Sequence, residues 1–241
     1  MNSTFKRDFN LRTSDFDCNR HISPVAVLDL FQEVAGFHAE ELGCGFEPLL
    51  NHGLLWVIVK AKYEVLCQPK MHSTVTVKTW PLPPTRLGFQ REYLIEDANG
   101  NLLIRGTSDW VVMNSSERKL AAASDIYPSD LVHCTDKCFE ERTARIRDFE
   151  TDGDGISVAP SFCDLDMNGH VNNIRYAAYV LNAVELKADE VIRSFQTDYH
   201  REVKFGDRLL IETHREDNQI LAKGTNQNGE KMFYCKIMLA D

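Results

Sequence analysis

A chain of 241 residues is long enough for one large domain or two modules of moderate size, and a hydrophobic content of 43% excludes a disordered polymer. The formal charge of −9 excludes a general nucleic-acid binder, which carries a basic surface. Seven cysteines, an odd number with no C-x-x-C pair, suit free thiols in a reducing compartment and not a disulfide framework.

In chain order, Phe5 to Thr13 alternates loosely and reads as a strand. A polar loop, Asp15-Phe16-Asp17-Cys18-Asn19-Arg20-His21, follows. Ser23 and Pro24 then start a helix, with Ser as N-cap and Pro at the first helical position. Leu28, Phe31, Ala35, His38 and Leu42 share one face of it, and Gly43 ends it. Residues Cys44 to Gly53 read as a loop. Strands are predicted at Leu54–Leu66, Ser73–Trp80, Leu87–Glu96 and Leu102–Met113, the last two joined by an Asn99-Gly100 turn. Asn114 to about Gly155 is charged, lacks alternation and reads as a connection with some helix.

The second half repeats that order. A strand at Ile156–Cys163 leads into the polar run Asp164-Leu165-Asp166-Met167-Asn168-Gly169-His170-Val171-Asn172-Asn173, and a helix from Asn173 to Leu186 follows. Strands are predicted at Ile192–Val203, Arg208–Arg215, Gln219–Ala222 and Lys231–Leu239, with Asn228-Gly229 as a hairpin turn. Asp17, Asn19 and His21 recur in register as Asp166, Asn168 and His170. Each half is therefore strand, polar loop, helix and four strands, an internal duplication of one α+β unit. The expected architecture is two modules, each a long helix wrapped by an antiparallel sheet, with the two sheets joined. We place the N-terminal module at 1–130, the connection at 131–155 and the C-terminal module at 156–241.

Met1 to Asn10 has neither the apolar core of a signal peptide nor transit-peptide character. No run approaches the ~18 apolar residues that span a bilayer, so a soluble cytoplasmic protein without membrane insertion is expected. His133, Cys134 and Cys138 form half of a metal-ligand pattern without a second half, and no metal or other cofactor is expected. Ser23 and Ser108 lack G-x-S-x-G context, which argues against a serine hydrolase. Asp and Asn before a helix are ordinarily caps and turn formers, and Asp164, Asn172 and Asn173 fit that reading. The cluster Asp166, Asn168 and His170 is too dense for capping alone.

These residues resemble the acyl-acyl carrier protein thioesterase family, bacterial type, in which two hot-dog modules are fused in one chain. The run Asp164 to Asn173 with Tyr176 is similar to the family's D-L-D-x-N-x-H-V-N-N-x-x-Y signature. Thr107 to Asn114, followed by Arg118 to Leu120, resembles the end of its first module, and Tyr199-His200-Arg201-Glu202 resembles its Y-R-R-E segment. The D-x-D-x-x-G-H-V-N-N portion is shared with single-module hot-dog acyl-CoA thioesterases. The plant members carry a transit peptide that this chain lacks. The resemblance implies hydrolysis of fatty acyl-acyl carrier protein, with the acyl chain delivered on phosphopantetheine. It places the catalytic groups at Asp166, Asn168, His170 and Glu202, and substrate contacts at Asn172, Asn173 and Tyr176. Where plant members have a cysteine after the glutamate, this chain has Val203, which removes thiol catalysis there; Gly169 stands where they have Gln.

Within that reading, Glu202 or Asp166 takes a proton from water or attacks the carbonyl directly, and His170 serves as base, acid or orienter; the preferred version has Glu202 and His170 activate water, Asn168 and the start of the Asn173 helix hold the oxyanion, and Asp166 orient the site. One well-placed oxyanion donor is worth about 3–4 kcal/mol. The first loop reads as a relic: Pro24 removes an N–H, and aligning Tyr63 with Tyr199 sets Leu66 opposite Glu202, although a small gap brings in Glu64 and leaves a second site at Asp17, Asn19 and His21 as the alternative. Docking of an acidic carrier would draw on Lys60, Lys62, Arg86, Arg91, Arg142, Arg145 and Arg147. The rivals are an acyl-CoA thioesterase with the same chemistry, a hot-dog dehydratase, for which no H-x-F-P-G-like segment occurs, and a non-catalytic acyl-thioester sensor. Oligomeric state stays open between the fused modules alone and a homodimer of the whole chain.

Overall fold

The structure, a computed structural model, describes residues 3–122 and 126–241. Residues 1, 2 and 123–125, all inside the expected N-terminal module, lie outside the described residues. The elements run β1 (Phe5–Asn10), α1 (Pro24–Glu41), α2 (Phe46–Asn51), β2 (Leu54–Val65), β3 (Thr74–Pro81), β4 (Phe89–Asp97) and β5 (Leu102–Asn114). They continue as β6 (Asp152–Val158), α3 (Asn173–Val184), β7 (Ile192–Tyr199), β8 (Leu209–Glu216), β9 (Gln219–Asn226) and β10 (Lys231–Leu239).

The strands form one ten-stranded sheet in the order β1-β3-β4-β5-β2-β7-β10-β9-β8-β6. Every pair is antiparallel. Read outward from the centre, β2-β5-β4-β3-β1 on one side mirrors β7-β10-β9-β8-β6 on the other, so the duplication seen in the sequence is a two-fold repeat in space. The seam is β2 against β7, where Lys60 to Glu64 pair with Asp198 to Ser194.

Both long helices serve one core. Val27, Leu28, Phe31 and Val34 of α1 and Tyr176, Ala177, Val180 and Val184 of α3 are buried in a single apolar cluster with inward residues of both halves of the sheet. Each such side chain contributes about 1.5–3 kcal/mol through removal from water. Period-two burial on β3 (Val75, Val77, Thr79) and β4 (Phe89, Arg91, Tyr93, Ile95) gives the sheet its inward face. Phe31 stacks on Tyr93 at 4.3 Å and lies over Gly106, where a Cβ would come within 2.2 Å of the ring; a glycine is what lets the helix approach this strand. A second cluster around Leu42, Cys44, Phe89 and Val112, with Trp56 and Tyr127, closes the far end of the first module.

Several boundaries differ from expectation. A short helix, α2, occupies part of the predicted 44–53 loop. β7 stops at Tyr199, so Glu202 sits in a loop and not on a strand. The connection carries no helix among its described residues. It runs as a strap across the sheet and satisfies a row of buried polar side chains. Glu92 accepts from Cys138 N–H (2.7 Å), Asp198 accepts from Ile146 N–H (2.8 Å), and Lys60, Gln196 and Lys223 donate to the carbonyls of Thr143, Ala144 and Phe149 (2.7, 2.8 and 2.8 Å). Polar side chains on central strands, which blurred the alternation in the sequence, are there to bind this strap.

Candidate active site

The Asp166 loop is built by its own aspartate. Asp166 Oδ1 accepts the backbone N–H groups of Asn168 (2.8 Å) and His170 (3.2 Å), while Asp166 N–H donates to the His170 carbonyl (2.7 Å). Gly169 turns the chain at a φ of +75°, left-handed backbone that favours glycine. A 3-10 turn, Phe162–Asp164, precedes the loop, and the Asp164 carbonyl accepts from Asn172 N–H (2.8 Å). Asn172 then caps α3, its side chain accepting from Ile174 N–H at 3.1 Å.

The first loop is a replica in hydrogen bonds as well as in sequence. Asp17 Oδ1 accepts from Asn19 and His21 N–H (both 2.9 Å), Asp17 N–H donates to the His21 carbonyl (2.8 Å), and Ser23 caps α1 through Ala26 N–H (3.1 Å). Arg20 stands where Gly169 stands and takes a φ of +67° without a glycine's freedom.

The partners of the two loops differ. The loop after β7 packs beside the second copy: Val171 N–H donates to the Val203 carbonyl (2.8 Å), and Tyr176 hydroxyl accepts from Val203 N–H (3.1 Å). This brings His170 Nε2 to 3.5 Å from Glu202 Oε2, both side chains about one-fifth exposed at 23% and 22%. Asn168 is exposed beside them, its amide 3.5 Å from Asp166 Oδ2. Asn173, the first helical residue, has an N–H with no hydrogen-bond partner among the described residues, whereas the next two amides are taken by the Asn172 side chain and carbonyl. Asp166, Asn168, His170, Asn173, Tyr176 and Glu202 all line one open cleft of about 1610 Å³. Asn172 is occupied as the helix cap. Tyr176 is 3% exposed, packed edge-on against Tyr199 and Phe233, and burial raises its phenol above the usual range.

In the first copy, Ile22 N–H, the counterpart of Val171 N–H, donates to Gln68 Oε1 (3.1 Å). The strand-end bonds define the equivalence. Leu66 and Cys67 N–H both donate to the Leu103 carbonyl, as His200 and Arg201 N–H do to that of Met232, which puts Gln68 in the place of Glu202. Leu66, set opposite Glu202 by the tyrosine alignment, is corrected accordingly. His21 Nδ1 is buried without a hydrogen-bond partner among the described residues, Asn19 is spent on the Lys187 carbonyl (3.1 Å), and Pro24 offers no N–H.

One neighbour of the site entered the sequence reading only as part of the segment that resembles the end of the family's first module. Arg118, in the turn after β5, donates to both oxygens of Glu202, Nη2 to Oε2 at 2.7 Å and Nη1 to Oε1 at 3.3 Å, and the contact raises its own pKa. Two expected docking cations are elsewhere: Lys60 and Arg91 are each 6% exposed, the first held by Thr143 and Asp198, the second by His38 and Thr79. Lys62 lies over the Phe139 ring, and Arg86, Arg142, Arg145 and Arg147 are exposed.

The family model described as the acyl-ACP thioesterase N-terminal domain matches residues 2–130, and that of the acyl-ACP thioesterase C-terminal domain matches residues 151–239. The chain belongs to the acyl-ACP thioesterase family. Its relatives include the chloroplastic acyl-(acyl-carrier-protein) hydrolase FATB3 of Cuphea viscosissima, 30% identical over 250 residues, covering 98% of this chain and 58% of that protein. The chloroplastic oleoyl-acyl carrier protein thioesterase 2 of Arabidopsis thaliana is 28% identical, with 94% of this chain and 67% of that protein covered. The chain thus spans roughly three-fifths to two-thirds of the length of these relatives. Among solved structures, an acyl-ACP thioesterase from Bacteroides thetaiotaomicron superimposes with a TM-score of 0.88 at 24% identity over 99% of this chain and 98% of that one. The 12:0-ACP thioesterase of Umbellularia californica gives 0.82 at 24% identity, over 100% and 98%. That likeness establishes the expected fold, an α+β double hot-dog. Among the described residues no helix is long and apolar enough to cross a membrane.

Proposed function

We propose that the chain hydrolyses the thioester of fatty acyl-acyl carrier protein at the second loop, releasing fatty acid and the free phosphopantetheine thiol. The observation that carries this is the meeting of His170 and Glu202 at 3.5 Å with an unoccupied helix-start N–H at Asn173, inside one cleft. Glu202 and His170 take a proton from water, whose oxygen attacks the thioester carbon. The Asn168 amide and Asn173 N–H receive the developing oxyanion. Collapse breaks the C–S bond, and the proton held by the pair returns to the leaving thiolate, so that one water is consumed per acid and thiol formed. Asp166 orients the loop, a role supported by its two backbone acceptor bonds.

The first module serves as the acyl pocket in this reading, with boundaries at 1–130, 131–155 and 156–241. The apolar side chains Leu28, Phe31, Ile58, Tyr93 and Trp110 of the first module line a slot that reaches Asn173, Ile174 and Tyr199 of the second; at about 20 Å³ it has room for one water-sized group, so an acyl chain entering there has to part these side chains. Arg142 and Arg145 are exposed, line the cleft and suit an acidic carrier. Seven thiols suit a reducing cytoplasm.

Steady-state hydrolysis of matched acyl-acyl carrier protein and acyl-CoA substrates over a range of chain lengths tests the proposal. Preferential turnover of the carrier-protein thioester is expected. Preference for CoA reassigns the thiol carrier, and binding without turnover makes the chain a sensor.

A further inference from the structure

Glu202 belongs to the second module, yet the group that grips it belongs to the first. Among the described residues the Glu202 carboxylate bonds to Arg118 alone and otherwise approaches only His170. The two bonds form a fork on both carboxylate oxygens, a geometry that fixes the plane of a carboxylate as a single point charge does not. The oxygen that takes the shorter bond, Oε2, is also the one facing His170.

The turn that presents Arg118 is made in advance. Asn114 Oδ1 accepts from Ser116 N–H (3.0 Å), Glu117 N–H (2.8 Å) and Ser116 Oγ (2.8 Å), and the Asn114 carbonyl accepts from Arg118 N–H (2.9 Å). Arg118 itself is held at a φ of +57°, where a glycine would sit more easily. The pair adds little stability: the arginine side chain is 53% exposed, and exposed ion pairs contribute little to folding. The first loop supplies the contrast. There Gln68, in the place of Glu202, spends its side-chain oxygen on Ile22 N–H.

We propose that Arg118 is a positioning residue of the second-loop site: it sets the plane of the Glu202 carboxylate so that Oε2 addresses His170 and the attacking water. The site is then completed across the module boundary, and the first module contributes to turnover as well as to acyl binding. This rests on the reading of His170 and Glu202 as the water-activating pair.

The test uses the full chain with Arg118→Gly, Arg118→Lys and, in parallel, Glu202→Gln. Each is assayed on acyl-acyl carrier protein and on an acyl N-acetylcysteamine thioester, which lacks both phosphate and carrier. Glycine relieves the left-handed backbone, so Arg118→Gly is expected to keep or raise Tm. Its kcat is expected to fall about 10–100-fold on both substrates, as for other residues that orient a reacting group. KM is expected to stay within about twofold, the pattern of an interaction made in the transition state. Guanidinium ion added at non-denaturing concentration restores part of the Arg118→Gly rate, and Arg118→Lys recovers less than wild type for want of the fork. An unchanged kcat for Arg118→Gly, with Glu202→Gln inactive, overturns the inference and leaves the site intact. So does a loss confined to KM on the carrier-protein substrate, which would make Arg118 a docking residue. Full activity of Glu202→Gln overturns both this inference and the reading beneath it.

Discussion

The Asp17 and Asp166 loops show how little of an active site resides in its most recognisable motif. Aspartate acceptor bonds, turn, helix cap and histidine are common to both copies. The second copy adds an acid within reach of the imidazole, a helix start whose first residue keeps its N–H, and an open cleft. The first has a glutamine spent on the backbone, a proline and an asparagine tied to the other module. Duplication supplies two matching frames, and three local changes tell them apart; in the proposed mechanism these changes decide which frame polarises a thioester.

Each difference can be broken separately. The largest effect is expected at Glu202: Glu202→Gln keeps the size of the side chain but removes the base, and kcat should fall by about 10²–10⁴-fold. Steady-state kinetics beside a thermal melt would show this as a loss of rate without a loss of fold. Next is Asn173→Pro, which copies the first loop into the second. The preceding Asn172 already has φ −58° and ψ 136°, much as Ser23 before Pro24 has φ −76° and ψ 146°, so the backbone accepts proline. Losing one oxyanion donor should lower kcat about 10²–10³-fold at unchanged Tm; retention of full rate would remove Asn173 N–H from the mechanism.

Asp17→Ala and Asp166→Ala form a matched pair. Each leaves two backbone N–H groups without their acceptor; the groups are exposed or part-buried, so the cost stays below the ~1–3 kcal/mol of a fully buried group and appears as a modestly lower Tm in both. Only Asp166→Ala should also lower kcat. The smallest effect is expected from Arg20→Gly, which gives the first loop the glycine that the second has at 169. It should stabilise the chain by about 1 kcal/mol and leave hydrolysis alone, a shift measurable by chemical denaturation.

The frame of this molecule was legible in its sequence because frames are written locally. Ser23-Pro24 announced α1, Asn99-Gly100 and Asn228-Gly229 announced hairpins, and the repeated Asp-x-Asn-x-His announced two copies of one module. What escaped was written across distance. The strap's partners, Glu92, Lys60, Gln196 and Lys223, are buried side chains on strands far from 138–149, so the segment alone looked like a charged linker. Arg118 meets Glu202 across 84 residues, and its place in a segment like the end of the first module says nothing of that partner. Leu66 was set opposite Glu202, where Gln68 stands, because tyrosines at 63 and 199 invited alignment by identity, whereas the ladder makes Val65 the counterpart of Tyr199. Polar residues on the central strands also drew Lys60 and Arg91 into a docking patch, although the folded chain buries both.

If only one of the two matching loops does the chemistry, their histidines must differ in effect. The turnover numbers of His170→Ala and His21→Ala on the same acyl-acyl carrier protein decide this. The prediction is a fall of about 10²–10⁴-fold for His170→Ala and a change within about twofold for His21→Ala. Comparable losses in both variants, or a loss at His21 alone, would contradict it.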